Sequence, residues 1–382
     1  MTAPINAAAL AALAHEPVDW RFKGLPASWW GRTPAQICAE APNLVDDGAV
    51  GPVCVLRAEA LAHNLTTMAA WCRDRGVELA PHGKTHMAPQ LFARQLDAGS
   101  CAITAANISQ VRTYRAFGVR DVVLANELVD AAGLRWLAAE LSADPDFTLL
   151  CWVDSLDGVR LMASELAAAD ARRPVDVCVE VGKADGRTGC RGPSAVDEVA
   201  RAAADCPALR LVGVAGYEAA LGHDVSPDAL ARVTGYLSEL RSAVERLAGL
   251  SVRTIIRSGC YLTHDHGLYA RTSPLGLLPG LQVWAQVMSW PEPDLALLTM
   301  GRRDVSFDQD MPVPLAPSDS AVTKLNDQHA YLRLGPNDRD RVAVGSWLRF
   351  GISHPCTTFD KWQMIPVLDD DDRVVDLIRT FF

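Results

Sequence analysis

The 382-residue sequence predicts an α/β chain, a (β/α)8 TIM barrel followed by a C-terminal, mainly antiparallel β domain. Three observations predict it. From about residue 52 to residue 257, short β-rich runs alternate with longer segments of helical spacing, as the doubly buried strands of a parallel sheet require. Eight such runs occur, the number that closes the barrel. After about residue 280 the rhythm changes to short β-rich runs set off by Gly, Pro and Asp, the pattern of an antiparallel domain. A doubly wound open sheet is the alternative for the first part. No GxGxxG follows the first strand, which counts against a dinucleotide-binding version of it.

The elements follow in order. The opening MTAPINAAALAALAHEPVDW lacks a basic n-region and reads as a short amphipathic helix rather than a signal peptide. Residues 1–44 are expected to pack on the β domain, with the barrel over 45–280 and the β domain over 281–382. The strand-like runs are PVCVLR (52–57), VELAPH (77–82), CAIT (101–104), DVVLAN (121–126), FTLLCWV (147–153), VDVCVEV (175–181), LVGVAGY (211–217) and VRTIIR (252–257). Between them, segments such as 58–76 and 226–249 repeat apolar residues every three to four positions, as helices packed on a sheet do. QVWAQVMSW, LALLTMG, AYLRLG, RVAVGSWLRFGIS and WQMIPVLDDDDRVVDLI supply the late strands, with DDDD (369–372) as a solvated turn.

Bulk properties bound the partners. At this length two domains are expected. Hydrophobic residues make up 49% and charged residues 21%, an ordinary globular balance. The net charge is −10 with no run of Lys or Arg, which argues against nucleic acid and anionic membrane surfaces. No stretch reaches ~18 uninterrupted apolar residues, so no membrane span is expected. The ten cysteines are scattered without a CxxC, and the simplest reading is a reduced, cytoplasmic protein.

Chemistry-bearing residues gather where barrel strands end, the place where such folds keep their catalytic groups. Lys84 follows the second run, between His82 and His86 in PHGKTH. The two histidines can add positive charge and burial would lower the lysine pKa, the setting of a lysine that forms a Schiff base. A loop lysine in a salt bridge is the plain alternative. Other strand ends are polar: VEVGKADGRTG offers Glu180 and Arg187, GVAGYEAALGH offers Tyr217, Glu218 and His223, and RSGCY offers Ser258, Gly259, Cys260 and Tyr261. A glycine-containing turn at the last position can present backbone N–H groups to a phosphate. In SHPCTTFDKW, His354 and Cys356 share one face if extended and suit Zn²⁺, with open positions left as at a catalytic metal. A buried cysteine beside a hydrogen-bonded histidine is the alternative. His329 with Asp327, and His264, Asp265 and His266, are further acid–base candidates.

Taken together, PHGKTH, VEVGKADGRTG, RSGCY, LNDQHA and SHPCTTFDKW resemble the fold-type III pyridoxal-phosphate (PLP) group, in the D-serine dehydratase / D-threonine aldolase branch of alanine-racemase-like proteins. The likeness runs from about residue 20 to the end and is strongest to bacterial amino acid deaminase or D-serine deaminase proteins. It implies a PLP-binding barrel, a C-terminal β domain and a homodimer. By the same resemblance Lys84 holds PLP, Arg187 lies near its ring, Tyr217 contacts cofactor or substrate, and Ser258, Gly259, Cys260 and Tyr261 cover the phosphate. Family members often have Gly-Ser-Thr there, and this chain's Gly-Cys-Tyr departs from that. His354 and Cys356 match the metal pair of D-serine dehydratases, whereas the aldolases usually carry Asp at the second position. The implied reaction is loss of water from a D-β-hydroxy amino acid such as D-serine, D-threonine or 3-hydroxy-D-aspartate, giving a 2-oxo acid and ammonia. Lys84 is then the base at Cα, and Zn²⁺ (Mn²⁺ the alternative) holds the β-hydroxyl. Retro-aldol cleavage to glycine and an aldehyde is the second reading, with His82, His86 or His329 as base. A non-catalytic PLP-binding protein is the third.

Overall fold

The computed structural model describes residues 5–222, 224–247, 253–316 and 319–382; His223 lies outside the described residues. In chain order the strands are β1 (Val53–Arg57), β2 (Glu78–Leu79), β3 (Ile103–Ala105), β4 (Asp121–Glu127), β5 (Thr148–Val153), β6 (Val175–Gly182), β7 (Cys190–Arg191), β8 (Leu209–Gly216), β9 (Ile255–Ile256), β10 (Leu281–Glu292), β11 (Leu295–Leu298), β12 (Val313–Ala316), β13 (Ala321–Leu325), β14 (Ala330–Arg333), β15 (Trp347–Gly351), β16 (Met364–Leu368) and β17 (Val374–Arg379). Two compact units form, one chiefly from Val77–Pro81 and Ser100–Arg257, the other from Asn6–Gly76, His82–Gly99 and Ser258–Phe382. The units thus interleave in sequence, whereas the expected division at residues 45 and 280 is contiguous. The chain passes from one to the other directly after β2 and directly after β9.

The first unit is the parallel barrel. Strands β3-β4-β5-β6-β8 pair in parallel order, and β2 pairs in parallel with β9. The N–H groups of Cys101 and Thr104 join the β3 segment to Leu79 and Pro81 at 2.8 and 2.7 Å. The interior takes one side chain from each successive strand segment: Ala80, Ala102, Val123, Trp152, Cys178 and Ala215, with Ile255 against them. Small residues beside one Trp suit the narrow interior of such a barrel. The returning helices start on side-chain caps, Asn107 to Gln110 N–H, Asp130 to Gly133 N–H, Ser155 to Gly158 N–H and Ser226 to Ala229 N–H. Each satisfies an amide that the helix leaves open.

The second unit is the antiparallel domain, with one addition. Strand β1, the first of the eight predicted barrel runs, is inserted in its sheet. It pairs antiparallel with β10 (Val53↔Trp284) and parallel with β16 (Leu56↔Val367). Its pattern, apolar on both faces, is what a central strand of any sheet shows, so periodicity alone assigns it to neither sheet. Residues 6–44 pack here: Val18, Phe22, Leu25, Trp29, Ile37 and Leu44 share a core with β1, Trp284, Leu368 and Leu377. The acidic turn between β16 and β17 is solvated only in part. Asp372 accepts from Arg57 at 2.8 Å and from Arg349, while Asp370 and Asp371 are exposed.

Candidate active site

In the second unit the segment after Pro81 closes into a single 3-10 turn, Gly83–Thr85. The His82 N–H donates to Ser258 O (3.2 Å) and the Met87 N–H to Gly83 O (2.8 Å). Met87 is buried with φ 45°, a left-handed conformation that costs an L-residue about 1–2 kcal/mol and here reverses the chain. Lys84 is exposed at the crest, so the burial expected of it from the sequence is not found. Thr85 and His86 point inward and are buried. Burial pushes His86 down to about 3, so its ring is neutral and does not supply the positive charge expected beside Lys84. Its Nδ1 accepts from the Ala88 N–H (3.2 Å), which places the ring proton on Nε2, 3.3 Å from Gln95 Oε1. Gln95 in turn donates to the Tyr261 hydroxyl. His86 therefore ties the lysine turn to the RSGCY turn.

Gly259 makes the approach of those turns feasible. A Cβ there would stand 2.2 Å from Thr85 Oγ1 and 2.8 Å from His82 Cβ. The next residues, Cys260–Leu262, form another 3-10 turn, and its first N–H groups have no acceptor within the turn. That is the kind of cradle a phosphate fits.

The sulfur of Cys260 is turned to another partner. Cys260, His354 and Cys356 bring one donor atom each within 4.8 Å of one another. The two sulfurs are 3.6 Å apart, and Cys356 Sγ is 3.5 Å from Thr85 Oγ1. His354 is held by Asp308 Oδ2 at Nδ1 (2.6 Å), and Asp308 Oδ1 accepts from Thr357 (2.6 Å). Burial disfavours charge on His354, but its hydrogen bonds to Cys356 and Asp308 outweigh it and hold the imidazole up at about 9. The Cys260 hydrogen bond holds the Cys356 thiol well below the usual range against burial, while the same bond and burial drive Cys260 well above it. The cluster concentrates one thiolate beside a second sulfur and an oriented imidazole. Asp265 Oδ1 accepts the N–H groups of Gly267, Tyr269 and Ala270 and caps the helix Leu268–Thr272, while its Oδ2 is buried with no partner among the described residues and burial raises its pKa. His329 sits in the turn between β13 and β14, and among the described residues no polar contact joins it to this cluster.

The first unit gathers a separate polar group. The Arg187 guanidinium lies 4.7 Å from the Tyr217 ring centre. Tyr217 N–H donates to Tyr236 Oη, whose hydroxyl donates to Val181 O (2.6 Å). Half-buried Arg257 stacks at 5.4 Å on Trp152 and donates to Gly216 O; burial lowers its pKa while Glu218 and Glu180 oppose this. Both oxygens of Glu127 and Oε2 of Glu180 are buried without a partner among the described residues. Burial first, and the neighbouring Glu180 second, push Glu127 up to about 8, so its carboxyl is protonated at neutral pH. Glu127, Trp152 and Asp154 line a pocket of about 200 Å³. Sequence reasoning missed Glu127, Arg257 and Asp308. Arg257 and Glu127 stand at the ends of predicted strands and could have been found there; Asp308 lies in a loop and gave no signal.

Comparison with known proteins gives a consistent set. The family model "Alanine racemase, N-terminal domain" matches residues 56–273, and "Putative serine dehydratase domain" matches 280–368. A D-threonine aldolase of Arthrobacter sp is 26% identical over 84% of this chain and 89% of its own. A 3-hydroxy-D-aspartate aldolase of Paracoccus denitrificans (strain Pd 1222) is 24% identical over 80% and 87%. Among solved structures, D-threonine aldolase from Filomicrobium marinum has a TM-score of 0.78 at 24% identity, covering 87% of this chain and 95% of its own. D-threo-3-hydroxyaspartate dehydratase from Delftia sp. HT23 has a TM-score of 0.74 at 20% identity, covering 87% and 98%.

Proposed function

Because the chain belongs to the family of the alanine racemase N-terminal domain, and carries a serine dehydratase domain after it, we propose that it is a PLP- and metal-dependent lyase. It removes water from a D-β-hydroxy amino acid of the D-serine or D-threonine type and releases a 2-oxo acid and ammonia. The observation that carries this reading is the Cys260–His354–Cys356 donor set, one hydroxyl away from the lysine turn through Thr85. An amino acid racemase needs no such set. The solved relatives include a D-threo-3-hydroxyaspartate dehydratase with a cysteine replaced by alanine, in its metal-free form.

The residues fit both groups. Lys84 is exposed for covalent attachment of PLP, and the Gly259 turn, with Ser258, Cys260 and Tyr261, offers amides to its phosphate. Arg187 and Tyr217, stacked together, are assigned to the cofactor ring. When bound, PLP supplies an electron sink at Cα and the divalent ion a Lewis acid at the β-oxygen. This chain's side chains do the rest. Lys84 takes the α-proton. Asp308 keeps a proton on Nδ1 of His354, which leaves Nε2 as the donor atom. The β C–O bond breaks, the hydroxyl leaving as water with the proton that Lys84 took from Cα, and hydrolysis of the released enamine consumes one water and frees ammonia. His86 is assigned a positioning role, since both of its ring nitrogens are engaged inside the protein. The absence of any described helix long and apolar enough to cross a membrane leaves the compartment open; ten free cysteines fit the reducing cytoplasm we propose, and a homodimer is the proposed assembly.

The aldolases among the relatives favour a second reading, retro-aldol cleavage. Product analysis with D-threonine, in the presence of PLP and Zn²⁺, separates the two. 2-Oxobutanoate and ammonia are expected. Glycine and acetaldehyde would replace the dehydratase with the aldolase.

A further inference from the structure

We propose that Cys260 is a third protein ligand of the catalytic metal, completing a Cys2His set with His354 and Cys356 and leaving one position open for the substrate's β-oxygen. The inference rests on the metal-dependent reading above and deepens it. The sequence presents His354 and Cys356 as a local pair, and Cys260 as part of a turn 96 residues away. The fold puts that turn's sulfur against the pair.

The geometry is that of a zinc site. Two thiolates at ~2.3 Å from a tetrahedral zinc stand about 3.8 Å from each other. The observed separation is 3.6 Å. A disulfide requires ~2.05 Å; the sulfurs instead stand in hydrogen-bond contact, at a spacing close to the one two thiolates take around a single zinc ion. The third donor is constrained to the same point. His354 gives Nδ1 to Asp308, and Nε2 is the atom left to the cluster. Cys260 is buried and opens a 3-10 turn whose glycine neighbour is clamped against Thr85, so its position is fixed by backbone packing. A soft set of two sulfurs and one imidazole selects Zn²⁺ over Mn²⁺. Three protein ligands with one open position is the arrangement of catalytic zinc sites.

Zinc K-edge X-ray absorption on the PLP-loaded, reduced protein with one equivalent of Zn²⁺ tests this. The wild-type first shell should contain two sulfurs at ~2.3 Å and one imidazole nitrogen. Cys260→Ser should show one sulfur, and chelator competition should find its zinc affinity reduced about 100-fold or more, beyond what loss of an outer partner costs. A single sulfur in the wild-type protein overturns the proposal whatever the variant does. Failure of the wild type to hold zinc overturns it together with the metal-dependent reading. Two sulfurs in a protein that leaves every D-β-hydroxy amino acid unchanged would sustain the site and remove the lyase reading alone.

Discussion

Asp308 accepts from His354 Nδ1 and Thr357 Oγ1, both at 2.6 Å, and so fixes the tautomer and tilt of the imidazole. Replacing it with Asn keeps the shape but removes the charge that holds the ring proton. Asp308→Asn should weaken zinc retention 10–100-fold, read by chelator competition, with PLP content unchanged. His86 makes a different prediction. Its pKa is near 6.5 in the unfolded chain and about 3 when folded. Between those values the unfolded state takes up a proton that the folded state refuses. Stability is therefore intact above about pH 6.5 and falls toward pH 3, by up to about 1.4 kcal/mol per pH unit. In His86→Asn, Oδ1 can still accept the Ala88 N–H, and the acid limb of the melting temperature should flatten over that window. An unchanged acid limb would mean that His86 is already charged in the fold. His354 and Cys356 were readable as a pair, and Lys84 as a candidate, because each sits in a short local pattern. The link from Cys260 to Cys356 was not, because a contact between two distant loops imposes no spacing on either.

At the scale of elements, β4 and β6 each send one acid into the barrel unit, Glu127 and Glu180. Burial and then Glu180 raise Glu127 to about 8, above its unfolded value of 4.5. Its contribution is fully present below about pH 4.5 and is lost as pH rises through about 8. The melting temperature of the wild type should decline over that range, and Glu127→Gln should remove the decline. An equal slope in both proteins would show that Glu127 is not held protonated in the fold. The alternation of β-rich runs and amphipathic segments was readable from β2 to β9 except for the two-residue β7, since most of those strands are followed by helices, several of them capped by side chains. It misplaced β1, whose apolar residues face both ways in a central position between β10 and β16. Pattern reports burial, and burial does not say in which sheet.

For the whole molecule, the two units are each assembled from separated stretches of chain. Strand β17 covers the outer side of β16 and supplies Val374 and Leu377 to the core shared with the N-terminal residues. A chain ended at Asp369 should lose that core, expose the edge of β16, and collect in the insoluble fraction. The same urea midpoint for the shortened and full chains would sink this. The class of fold was legible because strand count and a change of rhythm survive one misplaced strand. The interleaving was not, because hydropathy does not record where the chain changes partners.

Strand β1 also sets a schedule for synthesis. It leaves the ribosome well before its neighbours, Leu281–Glu292 and Met364–Leu368, so Leu56 waits for Val367. A nascent chain carries an apolar strand with two unpaired edges until β10 and β16 have been made. Such an edge is what chaperones bind and what aggregates capture. Folding of this unit is therefore expected to be post-translational and slow, paced by contacts between the two ends of the chain.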